Sequence, residues 1–162
     1  MVVGSIVYLK HPDGRILLQT RKSGRMRGYI GLPGGKVEEG EGTIQAGIRE
    51  LKEETGLIAK HADLLGCYSE VSYFERRLSG HYVLFVLGVV SYTGRLISES
   101  SEGSNFFIEE SRVRSLGKVL PDLYFVLDRV RNPPFVDHLT RYIENGTEYV
   151  LTRNGDRYPA HY

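Results

Sequence analysis

The sequence predicts a mixed α+β domain. Apolar, β-branched runs stand both before and after a segment of helical periodicity, turn residues separate them at short intervals, and no repeat, low-complexity tract or linker divides the chain. At 162 residues, 41% hydrophobic and 25% charged, the chain can bury one sizeable core, so residues 1–162 read as a single domain.

Val2 to Leu9 is short, apolar and rich in β-branched residues. His11-Pro12-Asp13-Gly14 supplies turn chemistry before a second apolar run, Arg15 to Thr20, and the two runs are expected to form a β-hairpin. Arg21 to Gly28, RKSGRMRG, is basic and glycine-punctuated and reads as a loop. Tyr29 to Leu32 then reads as a brief strand entering the turn at Gly34-Gly35. Helical spacing runs from Thr43 to Thr55, with Gly56 as the left-handed residue that ends it. Leu64 to Phe74 and Tyr82 to Tyr92 are long runs of strand formers, joined by the polar stretch Glu75 to His81 and expected to pair antiparallel.

Thr93 to Asn105 is polar, carries Glu99 and Glu102, and reads as a surface loop leading into a short strand, Phe106-Phe107-Ile108. Pro121 sits where a first helical residue is tolerated, and Leu123, Val126, Leu127 and Val130 recur at helical spacing until Asn132-Pro133-Pro134. Leu139 to Ile143 and Thr147 to Leu151 flank Asn145-Gly146, a pair suited to a type I′ turn because both central residues need positive φ. The last ten residues are expected to be loose.

Charge and composition exclude several classes of function. A formal net charge of +1 provides no global basic field for a nucleic-acid polymer, so an anionic ligand has to be held locally. The lone cysteine, Cys67, rules out an intramolecular disulfide framework and fits a reducing compartment. No run has the length of a membrane span, and the start MVVGSIVYLK lacks the features of a signal peptide. A cytoplasmic protein without a membrane partner is expected, with monomer and homodimer both open.

The stretch Leu32 to Leu57, LPGGKVEEGEGTIQAGIRELKEETGL, carries the chemistry. At about 100° per residue, Ile44, Ile48 and Leu51 fall on one side of the helix and Glu50, Glu53 and Glu54 on nearly the opposite side. The first face is expected to be buried and the second displayed, with the small Ala46 and Gly47 leaving space before the carboxylates. Glu50 and Glu54 are an i,i+4 like-charge pair, and all three glutamates lie in the C-terminal half of the helix, where the macrodipole disfavours anions. A hard divalent cation offsets both effects, since Mg²⁺ prefers convergent carboxylates that leave room for water and phosphate. A solvated acidic face partnered by Arg49 and Lys52 is the alternative; the Gly34-Gly35 turn upstream, which lets backbone approach a ligand closely, favours the cation.

Gly35, Glu41, Arg49-Glu50-Leu51, Glu53-Glu54 and Gly56-Leu57 match the Nudix box GX5EX7REUXEEXGU, U being a bulky aliphatic, at every defined position over residues 35–57. The chain therefore resembles the Nudix hydrolases. The resemblance implies an α/β/α sandwich around a central mixed sheet, with the box as a loop-helix-loop. It implies an enzyme that uses Mg²⁺, or Mn²⁺ in its place, to hydrolyse a nucleoside diphosphate linked to another group. Carried over to this chain, Glu50, Glu53 and Glu54 would be metal ligands together with the Gly34 carbonyl; Arg49 would orient a catalytic glutamate and Glu41 would support loop and helix. Glu50 or Glu53 would be the general base. Many family members place a further acidic ligand in a loop before a strand, for which Glu102 is the first candidate here and Glu99 the second.

The flanks resemble the MutT-type nucleoside triphosphate pyrophosphatases. Ile16 to Lys22 is similar to their strand ending in basic residues, Lys36 follows the double glycine, and Leu120-Pro121-Asp122 resembles a stretch whose aspartates face the base. Arg21, Lys36 and Asp122 are accordingly the candidate substrate-binding residues. The expected reaction is cleavage of a nucleoside triphosphate, such as the oxidised purine 8-oxo-dGTP, to nucleoside monophosphate and pyrophosphate. The chain lacks tryptophan, and Asp122 is followed by Leu123 where those enzymes have a second aspartate. Hydrolysis of ADP-ribose, a nucleotide sugar or a dinucleotide is the alternative, and a non-catalytic nucleotide sensor the third reading. Asp122 could equally serve as a helix cap.

Overall fold

The computed structural model describes residues 1–24 and 26–160; Arg25, in the predicted basic loop, and the last two of the ten terminal residues lie outside them. The strands are β1 (Val2–Leu9), β2 (Arg15–Arg21), β3 (Ile30–Gly31), β4 (Gly34–Lys36), β5 (Leu57–Phe74), β6 (Arg77–Gly94), β7 (Gly103–Glu109), β8 (Phe135–Glu144), β9 (Thr147–Thr152) and β10 (Arg157–Pro159). Helix α1 spans Thr43–Thr55, α2 spans Pro121–Arg129, and a 3₁₀ helix spans Glu110–Ser115. A seven-stranded mixed sheet runs β10-β9-β8-β5-β6-β1-β4, and a three-stranded sheet runs β3-β2-β7. Among the described residues no helix is long and apolar enough to cross a membrane.

Strand β1 explains the layering. It pairs parallel with β6 and antiparallel with β4, so neither of its edges is open. Its side chains alternate: Val7 and Leu9 enter a core with Leu51, Leu57 and Val89 beside α1, while Tyr8 enters the larger core with Tyr68, Leu123, Phe125 and Val126 beside α2. The helices thus cover opposite faces of the mixed sheet.

The structure corrects four expectations. The first two strands form no hairpin: a turn at His11 to Gly14 and the bridge Lys10 to Ile16 join them, then they separate into different sheets. With β4 and β6 on both edges of β1, β2 pairs along its whole length with β7. Most of Glu75 to His81 is strand, because the turn is only Glu75-Arg76, with φ of 46° and 65°. Neither residue is a usual turn former, so the tight connection has no local mark. The final segment is tied down as far as Ala160, since β10 pairs with β9 and Ala160 N–H donates to Glu148 O at 2.9 Å.

The fourth correction concerns α1, whose bounds and left-handed Gly56 (φ 73°) are as expected. Leu51 is buried, but Ile44 is 39% exposed, and the inward face is made by Ala46, Gly47, Leu51, Glu54 and Thr55. Small residues let the helix seat close to the sheet: a Cβ on Gly47 would stand 2.3 Å from Leu87 Cδ1, and Ser5 Oγ donates to Thr43 O at 2.6 Å. That contact turns the edge of the acidic face inward. The Asn145-Gly146 hairpin forms as predicted, with both φ values positive.

Candidate active site

Strand β4 and helix α1 build the site around Arg49. Its Nε donates to Glu41 Oε1 at 2.9 Å and its Nη2 to Glu41 Oε2 at 3.0 Å, a two-pronged pair that pins the loop before α1. Nη2 also donates to Lys36 O at 3.0 Å, fastening β4. Nη1 donates to Glu50 Oε1 at 2.8 Å and Glu53 Oε2 at 3.3 Å. The hydrogen bonds it donates to Glu41 and Glu50 hold the Arg49 guanidinium pKa well above its ordinary range, and Arg49 with the Glu38 N–H holds Glu41 below the usual carboxylate range.

Glu50 lies directly against Gly35, where a Cβ would meet its carboxylate at 2.3 Å. Glu54 is 7% exposed and accepts from Gly34 N–H at 3.0 Å. Burial pushes its carboxyl up to about 7, against the lowering effect of that N–H; Glu50 and Glu102 push further in the same direction and Arg21 opposes them. Glu102 and Arg21 therefore lie within electrostatic reach of Glu54. Glu99 is committed elsewhere: Oε2 accepts from Lys22 Nζ at 2.6 Å and from Ser104 Oγ at 3.0 Å. The same lysine anchors the acidic loop through Ser100 O and, by its backbone N–H, Glu102 O.

Gly34, Gly35 and Lys36 form one wall of a cleft of about 310 Å³, which Arg21 and Asp122 also line. Asp122 caps nothing: the α2 N-cap is Leu120, and Asp122 sits in the first turn with Oδ1 accepting from Arg141 at 2.7 Å and Oδ2 from Tyr68 OH at 3.0 Å. Arg141, Glu70 and Glu148 were not singled out in the sequence. Their mark there is a charged residue amid alternating apolar strand positions, as with Arg141 between Leu139 and Ile143.

Residues 2–130 match the sequence model of the NUDIX domain family. The chain belongs to the NUDIX family. An ADP-ribose pyrophosphatase of Methanocaldococcus jannaschii is 46% identical over 80 residues, 48% of this chain and 46% of that protein. The Nudix hydrolase YvcI of Bacillus subtilis, itself uncharacterised, is 35% identical over 95 residues, 59% of this chain and 58% of that one. The chain thus spans about half the length of the curated relatives it matches. The crystal structure of a MutT protein from Bacillus halodurans superposes with a TM-score of 0.74 at 22% identity, covering 97% of this chain and 94% of the other, and has the same fold.

The NUDIX box residues suit a divalent cation. Burial, reinforced by the charges of Glu50 and Glu102, pushes the Glu54 carboxyl up in surroundings rich in oxygen donors, and the cradle at Gly35 keeps Glu50 beside β4. Among the described residues no three acidic, histidine or cysteine side chains already converge to hold an ion. Arg49 accounts for this, because it draws the Glu50 and Glu53 carboxylates to one nitrogen while Glu54 turns to Gly34.

Proposed function

We propose that the chain is a divalent-cation-dependent pyrophosphohydrolase that cleaves a nucleoside diphosphate joined to a further group, with ADP-ribose the leading substrate and AMP and ribose 5-phosphate the products. The observation that carries the reading is the shared wall: Gly34 to Lys36 line the cleft, and Glu50 and Glu54 lie against the same strand.

Glu50, Glu53, Glu54 and the Gly34 carbonyl would hold Mg²⁺ or Mn²⁺, with Glu102 as a further ligand from the acidic loop. When bound, the cation neutralises the pyrophosphate and acidifies water. Arg21 and Lys36, at the exposed rim of the cleft, bind the remaining phosphate charge. Arg49, itself locked by Glu41, positions Glu50 and Glu53. Glu53 is the group best able to take the proton of the attacking water at Oε2: its side chain is 60% exposed and its bond to Arg49 is the longest of that set.

ADP-ribose takes precedence over an oxidised purine triphosphate for two reasons. The M. jannaschii relative bears the name of that activity. The residue expected to read an oxidised base, Asp122, has both oxygens engaged by Arg141 and Tyr68. All the box carboxylates are present, which disfavours a non-catalytic sensor. A panel of ADP-ribose, nucleotide sugars, nucleoside triphosphates and 8-oxo-dGTP, assayed with Mg²⁺ for release of monophosphate products, tests the reading. ADP-ribose should turn over fastest; pyrophosphate release from 8-oxo-dGTP as the dominant activity would reverse the order, and no turnover would leave the sensor.

A further inference from the structure

The acidic loop that carries Glu99 and Glu102 is a small hairpin. Glu99 bridges to Ser104, and Ser100 N–H donates to Gly103 O at 2.9 Å, which sets Glu102 at the tip. Lys22 holds the tip, through its backbone N–H to Glu102 O and its Nζ to Ser100 O. At the base stands Asn105, whose backbone N–H donates to Ser98 O at 2.8 Å.

The Asn105 side chain reaches beyond the hairpin. It is buried, the residue 4% exposed, and Nδ2 donates to Ile97 O and to Glu54 O, each at 2.9 Å. A single amide group therefore joins the hairpin base to the last turn of α1. Ile97 N–H adds a second tie, donating to Thr55 O at 2.8 Å. Both helix carbonyls are among those that have no partner within the helix itself. Gln19, opposite Asn105 on β2 and equally buried, donates from Nε2 to Asn105 Oδ1 at 3.1 Å. That bond decides which way round the amide lies, so both Nδ2 protons face carbonyls.

This pair breaks the pattern of its own strands. Two residues along on the same face, Leu17 and Phe107 are apolar and join the core beside α1. Apolar residues at 19 and 105 would continue that core with no polar group to satisfy, whereas buried amides are tolerated only where their bonds are made. Those bonds are made where the loop bearing Glu102 meets the helix end bearing Glu54, two carboxylates within electrostatic reach of each other.

We propose that Asn105 is a positioning residue, oriented by Gln19, that ties the acidic hairpin to the carboxylate end of α1 so that Glu102 and Glu54 are presented together to a divalent cation. The cation in this statement rests on the function proposed above; the tie itself does not.

Hydrogen exchange of the full chain tests the tie, and calorimetric titration with Mn²⁺ alone tests its purpose. In Asn105→Leu, which keeps the volume and removes the donors, amide protection of residues 97–105 should fall while that of β5, β6 and α2 is kept. Loss spread over the whole chain, or no loss, refutes the tie. Mn²⁺ should bind the variant at least about tenfold more weakly, the scale of losing a group that orients a metal ligand. Gln19→Leu should loosen the same residues to a smaller degree, and unchanged protection would remove Gln19 from the assignment. If Asn105→Leu does not fold, the unaltered chain decides: Mn²⁺ should raise the protection of residues 97–103, and no change overturns the proposal. Local loss of protection in the variant with no Mn²⁺ binding by the unaltered chain sinks the cation reading alone. Mn²⁺ binding that the variant retains in full sinks the positioning role alone.

Discussion

A methyl group on Gly35 would stand 2.3 Å from Oε1 of Glu50, so the strand that walls the cleft and the box carboxylate are in direct contact. Gly35→Ala should displace that carboxylate, which Arg49 prevents from swinging freely. The expected result is a fall in kcat of about 100-fold, the scale of an ångström's misplacement, with little change in melting temperature. Near-normal kcat in a folded variant would show that Glu50 need not sit against β4.

Arg49→Lys retains the positive charge but not the two-pronged bond to Glu41, nor the simultaneous reach to Lys36 O and Glu50. Turnover should fall by at least about tenfold, with kcat affected more than KM, because a lysine cannot hold the loop and two glutamates together. Steady-state kinetics on ADP-ribose measure the split; a change confined to KM would assign Arg49 to substrate binding instead.

Gly47→Ala sets helix propensity against packing. Alanine favours the helix by about 1 kcal/mol, but its Cβ would meet Leu87 at 2.3 Å and press α1 away from the sheet. Overpacking should win, with a net destabilisation of about 1 to 3 kcal/mol read from the urea midpoint. A stabilised variant would mean that α1 can shift on the sheet without loss.

The α1 result marks where sequence reasoning reaches its limit. Helix bounds and the glycine stop depend on residues close together in the chain, and both were legible there. Which face α1 buries depends on Leu87, forty residues downstream of Gly47, and Ile44, expected inside, is exposed. The β1 and β2 hairpin fails for a related reason: β4 and β6 claim both edges of β1, which no property of residues 2–20 reveals. Arg141 of β8 pairs with Glu70 of β5, Asp122 of α2 and Glu148 of β9, so this ion-pair cluster becomes visible only after folding.

Tyr158 of β10 gives a pH dependence. Burial and its bond to Asp128 push the phenol up to about 12, so the fold favours the neutral form. That contribution is complete below the ordinary phenol pKa near 10 and is lost as pH rises through about 12. Thermal melts from pH 9 to pH 12 should fall less steeply for Tyr158→Phe than for the unaltered chain. Identical slopes would remove Tyr158 from the alkaline transition.

The most direct test of a cation-dependent pyrophosphohydrolase is Glu53→Gln assayed on ADP-ribose at saturating Mg²⁺. The substitution removes one carboxylate charge from an exposed position and almost no volume. A loss in kcat of about 10² to 10⁴-fold at unchanged melting temperature is predicted. Unaltered turnover in that variant would contradict the site as assigned.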